Sequence, residues 1–63
     1  MRTRMKALRA DAGLTQADLA DRIGVARQTI NSIEGGKFEP SLGLGMRIAR
    51  ELGARVEDTF FLD

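Results

Sequence analysis

Thr15–Gly36, TQADLADRIGVARQTINSIEGG, decides the fold, because its apolar residues fall at helical spacings on either side of a glycine. Leu19 and Ile23 lie one turn apart, as do Ile30 and Ile33, and Val25 follows the break at Gly24, so five apolar side chains can converge on one core. Ala20 stands where the two helices would cross, and its small side chain lets the backbones approach. Gly24 can take the positive φ that ends a helix and turns the chain within three residues. Thr15 followed by Asp18 reads as a capping box, with the Thr15 hydroxyl accepting from an orphan N–H and Asp18 meeting the positive helix end.

The economical reading is a helix-turn-helix. Its first helix runs from Thr15 or Gln16 to Ile23, with Asp18, Asp21 and Arg22 on the wet side. Its second runs from about Arg27 to Glu34 and buries Ile30 and Ile33, which leaves Arg27, Gln28, Asn31 and Ser32 on other faces. Those four suit a major groove: Arg can donate twice to guanine O6 and N7, Gln can pair with adenine N6 and N7, and Ser or Asn can bond several base edges. A polar helix face is equally compatible with plain solvation, so the pattern alone leaves both readings open.

At Gln16, Ala20, Gly24, Val25, Ile30, Ile33 and Glu34 the chain resembles the phage-repressor and Cro-like helix-turn-helix regulators. The stretch LTQADLADRIGVARQTINSIEGGKFEPSL matches that family in order, spacing and residue type, and the resemblance covers essentially all 63 residues. It implies an all-α, lambda-repressor-like bundle of about five short helices, a single domain over residues 1–63. It further implies a transcriptional regulator, most simply a repressor, that binds double-stranded DNA as a homodimer on a pseudo-palindromic operator. Arg27, Gln28, Asn31 and Ser32 are then the base readers. Gln16, Thr29, Gly35, Gly36, Lys37, Arg2 and Arg4 are the expected phosphate contacts, and Arg9 is expected to pair with Glu34 as a structural clamp. The chain departs from the family at Ala26, where Ser or Thr usually caps the second motif helix, and at Gly43, Gly45 and Thr59.

Composition narrows the alternatives independently. A chain of 63 residues buries only about 60% of the surface it exposes unfolded, so a partner subunit would help it. The absence of cysteine and histidine removes disulfides, thiolate metal sites and histidine acid–base catalysis, so neither an enzyme nor a metal or other cofactor is expected. With no apolar run near the length of a membrane span and no signal-peptide pattern, the expected location is the cytoplasm, with no membrane partner and no small-molecule ligand indicated. Residues 1–38 hold seven basic and four acidic side chains, against three and five in residues 39–63, so the basic half contains the proposed reading helix.

The outer segments read as packing for the motif. Arg2–Ala12 is predicted as helix one on the spacing of Met1, Met5, Leu8 and Ala12, with Gly13 as its cap and Arg2, Arg4 and Lys6 pointing outward, either solvated or against phosphate. Gly35-Gly36-Lys37 ends the reading helix, and Phe38 is expected to pin the loop that follows. Ser41 caps helix four, whose buried stripe is Leu44, Ile48 and Leu52 with Gly45 and Ala49 as small contacts. Helix five is predicted from Val56 to Phe60 or Phe61, with Val56 and Phe60 reaching the core. Phe61 and Leu62 are then left over as the expected centre of a dimer interface, the alternative being a lid over their own core. A second functional class is an antitoxin-like module in which the same fold mainly covers a partner protein.

Overall fold

The computed structural model describes residues 1–62, which run β1 (Arg2–Thr3), α1 (Met5–Asp11), α2 (Gln16–Ile23), α3 (Arg27–Glu34), α4 (Leu42–Glu51), α5 (Val56–Thr59) and β2 (Phe60–Phe61). The helix-turn-helix starts on its capping box: Thr15 Oγ1 accepts from the Asp18 N–H at 3.0 Å, and Asp18 Oδ2 accepts from the Thr15 N–H at 2.9 Å. It turns on Gly24 at φ +76°, where the Gly24 and Val25 N–H groups both close onto the Ala20 carbonyl. The start of α3 has no such help. Ala26 supplies extended backbone but no side-chain acceptor, so the helix begins at Arg27 without a cap.

Met5, Leu19, Ala20, Ile23, Ile30, Ile33, Ile48 and Leu52 form the core, with Leu8, Leu14, Val25, Leu44 and Phe60 packed partly buried around it. Burying each Ile or Leu contributes about 1.5–3 kcal/mol, the main term holding so short a chain together. Arg47 donates to the Ile23 carbonyl and so ties α4 to the C-terminal end of α2. Ser41 Oγ accepts from the Leu44 N–H at 3.2 Å and starts α4. Gly43 has open space where a Cβ would stand, whereas a Cβ on Gly45 would meet the Phe60 ring at 3.5 Å and Pro40 at 3.8 Å, ordinary contact distances.

Both chain ends depart from the sequence reading. Arg2 and Thr3 are not the first turn of helix one; they pair antiparallel with Phe61 and Phe60, and the Arg4 N–H extends the ladder to the Thr59 carbonyl at 2.9 Å. This ribbon satisfies backbone groups that a helix start and a helix end would each leave orphaned. It also stops α5 at Thr59. Met1 and, at the far end of α1, the exposed Ala12 both lie outside the core. Thr59 itself is fully buried, and its hydroxyl donates to the Arg55 carbonyl at 2.8 Å, which satisfies the polar group inside the core. Phe60 reaches the core. Val56 does not; it lines a surface groove with Met1, Pro40, Leu42, Gly45 and Phe60.

Candidate nucleic-acid interface

Because Ile30 and Ile33 anchor α3 inward, its opposite face is set by helical geometry, and Arg27, Gln28 and Asn31 are exposed there with Ser32 half-buried. Gln28, Asn31 and Ser32 share one shallow cleft with Lys6, Gln16 and Lys37, so residues from α1, α2, α3 and the following loop meet around it. Arg27 lies just beyond, in a hollow shared with Thr15, Gln16 and Ala17 at the start of α2. Thr29 is half-buried and lines a third hollow with Gln28, Ser32 and Phe38.

The clamp beneath this surface is a connected network. Arg9 Nε donates to Glu34 Oε2 at 2.7 Å and Nη2 donates to Oε1 at 3.1 Å, a two-pronged ion pair whose side chains are 13% and 8% exposed. Arg9 Nη1 donates to the Leu14 carbonyl at 2.9 Å, so one guanidinium joins α1, the turn before α2 and the end of α3. Gln16 Nε2 donates to Glu34 Oε1 at 3.1 Å and to Asn31 Oδ1 at 3.2 Å. Burial pushes the Glu34 carboxyl up, but the hydrogen bonds from Arg9 and Gln16, with the Arg9 and Lys6 charges, outweigh it and hold the group below its ordinary value. The hydrogen bond to Glu34, with its charge, raises Arg9 in turn against the opposing effect of burial.

Gly35-Gly36-Lys37 ends α3 as the sequence places it: Gly35 is the C-cap in helical conformation, and Gly36 takes the left-handed conformation at φ +76°, where a Cβ would come within 3.2 Å of the Met1 carbonyl. The Gly36 N–H bonds the Ile33 carbonyl and the Lys37 N–H bonds the Ser32 carbonyl, a Schellman cap. Gly35 and Phe38 donate to the Asn31 and Ser32 carbonyls. The amides of Gly35 and Gly36 are therefore engaged within the chain, and the exposed Lys37 carries the positive charge of this loop. At the start of α2, Gln16 and Ala17 keep first-turn N–H groups with no intrahelical acceptor.

Arg2 and Arg4 sit on β1 and at the start of α1, exposed but outside the cleft. Lys6, read from the sequence as outward and either solvated or against phosphate, is exposed and lines the cleft. Phe38 is half exposed beside Gln28, Thr29 and Ser32 and does not pin the loop inward; no local pattern distinguishes those two fates. Phe61 is half-buried in the ribbon, and Leu62 is 81% exposed.

A short bundle that presents the outer face of one helix across a glycine turn defines a helix-turn-helix domain. Residues 5–58 match the Helix-turn-helix family, and the chain belongs to it, in its phage-repressor and Cro-like branch. It is 51% identical over its full length to an uncharacterized HTH-type transcriptional regulator of Archaeoglobus fulgidus, covering 90% of that protein. It is 53% identical, again over its full length, to one of Methanothermobacter thermautotrophicus, covering 93% of it. The crystal structure of the clp gene regulator ClgR from Corynebacterium glutamicum superimposes with a TM-score of 0.80 at 33% identity over 86% of this chain. This chain spans 57% of that one. Among the described residues no helix is long and apolar enough to cross a membrane.

Proposed function

We propose that this protein is a DNA-binding transcriptional regulator that inserts α3 into the major groove and acts as a repressor by occupying its site. The observation that carries the reading is the outward face of α3, where Arg27, Gln28, Asn31 and Ser32 offer donors and acceptors suited to base edges and Lys6 and Lys37 flank them with positive charge. Phosphates on either side of the groove meet the Lys37 ammonium and the first-turn amides of α2. Thr29 is a further phosphate contact, and Arg2 and Arg4 add positive charge beside the face rather than on it. Relatives carrying the name of transcriptional regulators at about half identity support the same reading.

A single reading helix covers too few base pairs for useful discrimination, so the working form is a two-fold dimer on a pseudo-palindromic duplex, its α3 helices about 34–36 Å apart. The interface proposed for it is the C-terminal end, where Leu62 projects beyond the ribbon and the groove of Leu42, Val56 and Phe60 lies open. That groove is also the one feature favouring an antitoxin-like role, in which a different protein would fill it. Selection of bound sequences from random duplex DNA, followed by titration of the winning duplex at several salt concentrations, tests the reading. A conserved half-site pair is expected, with affinity falling linearly against salt on logarithmic axes, by a slope of about −0.9 per phosphate neutralised. No enriched sequence, together with a second protein that co-purifies stoichiometrically, would replace it with the antitoxin role.

A further inference from the structure

The amide network under the cleft has a direction. An ionised carboxylate only accepts hydrogen bonds, so the atom of Gln16 that faces Glu34 must be its amino nitrogen, as the 3.1 Å contact from Nε2 to Oε1 records. That same nitrogen faces Asn31 at 3.2 Å, and an amino group opposite it would be repelled, so Asn31 must turn its carbonyl oxygen Oδ1 inward. Arg9, which cannot lose its proton, keeps Glu34 ionised at the other end of the chain. Polarity set by one buried ion pair is thus passed through Gln16 to a side chain exposed on the reading face.

We infer that Gln16 and Glu34 are positioning residues for base specificity: they lock the Asn31 carboxamide with its amino group toward the groove, so that Asn31 selects guanine and rejects adenine. Guanine presents two acceptors side by side, N7 and O6, which two N–H donors can meet. Adenine presents an acceptor beside an amino group, and its two-point contact needs the Asn oxygen that Gln16 holds inward. The inference rests on the DNA-reading function proposed above and adds to it which base one residue prefers and what enforces that preference.

The test uses the full chain and sequence selection on random duplexes. Asn31→Ala identifies the base pair that Asn31 reads, as the position whose preference flattens. The wild-type chain should select guanine there. Gln16→Leu removes the lock while leaving the Arg9–Glu34 pair, and the guanine-over-adenine preference at that position should fall about tenfold, within the range a two-point base contact commands. Gln16→Lys, whose ammonium also only donates, should restore the preference even though its charge changes overall affinity. Adenine at the wild-type position, or an equal loss of affinity on every sequence in Gln16→Leu with the preference intact, would overturn the inference while leaving DNA reading in place. An Asn31→Ala profile identical to wild type would do the same. Failure of the wild-type chain to enrich any sequence would overturn both.

Discussion

Three donated hydrogen bonds from Arg9 and Gln16 converge on the Glu34 carboxylate, which makes it a hub of the polar network. Glu34→Ala leaves the Arg9 guanidinium buried without its partner and should cost about 3–5 kcal/mol, enough to unfold much of so small a domain. Chemical denaturation of Glu34→Ala, Arg9→Ala and the double variant checks this, and a coupling energy near zero would mean that the pair is decorative. The same carboxylate dictates the acid response. Its folded pKa lies below the ordinary value, so the stability it contributes is whole above about pH 4.3, the unfolded range, and disappears as pH falls through the folded value. Asp18 acts in the same direction, because its pKa is lowered by the backbone N–H and then the hydroxyl of Thr15. Melting temperature should therefore drop steeply in acid, and the drop should be shallower in Glu34→Gln, measured from that variant's own lower starting point. At Gly43 the expectation reverses sign. Nothing lies where its Cβ would go, so Gly43→Ala should stabilise by about 0.5–1 kcal/mol, and a measured loss would show that the glycine is needed for something else.

At the scale of elements, α3, like α1, has neither a side-chain N-cap nor an acidic residue in its first turn. Ala26→Ser should place a hydroxyl within reach of its free amides and raise stability by about 1 kcal/mol, read from the denaturation midpoint; an unchanged midpoint would mean that those amides are already satisfied. The helices were legible because their signals are local. Thr15 with Asp18, Ser41 after Pro40 and the glycines after each apolar stripe mark starts and stops that the structure keeps. The ribbon was not legible, because Arg2–Thr3 and Phe60–Phe61 are each too short to show a period of two and their pairing joins opposite ends of the chain. The end of α3 at Gly35-Gly36-Lys37 was legible, but which of two adjacent glycines turns the chain was not, since the two look alike in sequence. Much of the cleft followed from helical spacing, but the bond from Gln16 to Asn31 spans two helices, and no spacing within either one encodes it.

For the whole molecule, the two proposals to test are a dimer centred on the C-terminal end and DNA reading by the exposed face of α3. Leu62 is almost fully exposed, so replacing it with Glu should leave the folded monomer intact while breaking a dimer centred there. Sedimentation equilibrium at high micromolar concentration should give a dimer for the full chain and a monomer of unchanged helicity for Leu62→Glu; a persistent dimer would put the interface elsewhere. The reading function is tested most directly by Arg27→Ala, titrated in parallel on the selected duplex and on a scrambled duplex at one salt concentration. If α3 reads bases, the variant should lose about 1–3 kcal/mol on the selected duplex and much less on the scrambled one, with discrimination relaxed at one base pair. Equal loss on both duplexes would contradict base reading by Arg27 and reduce it to a phosphate contact.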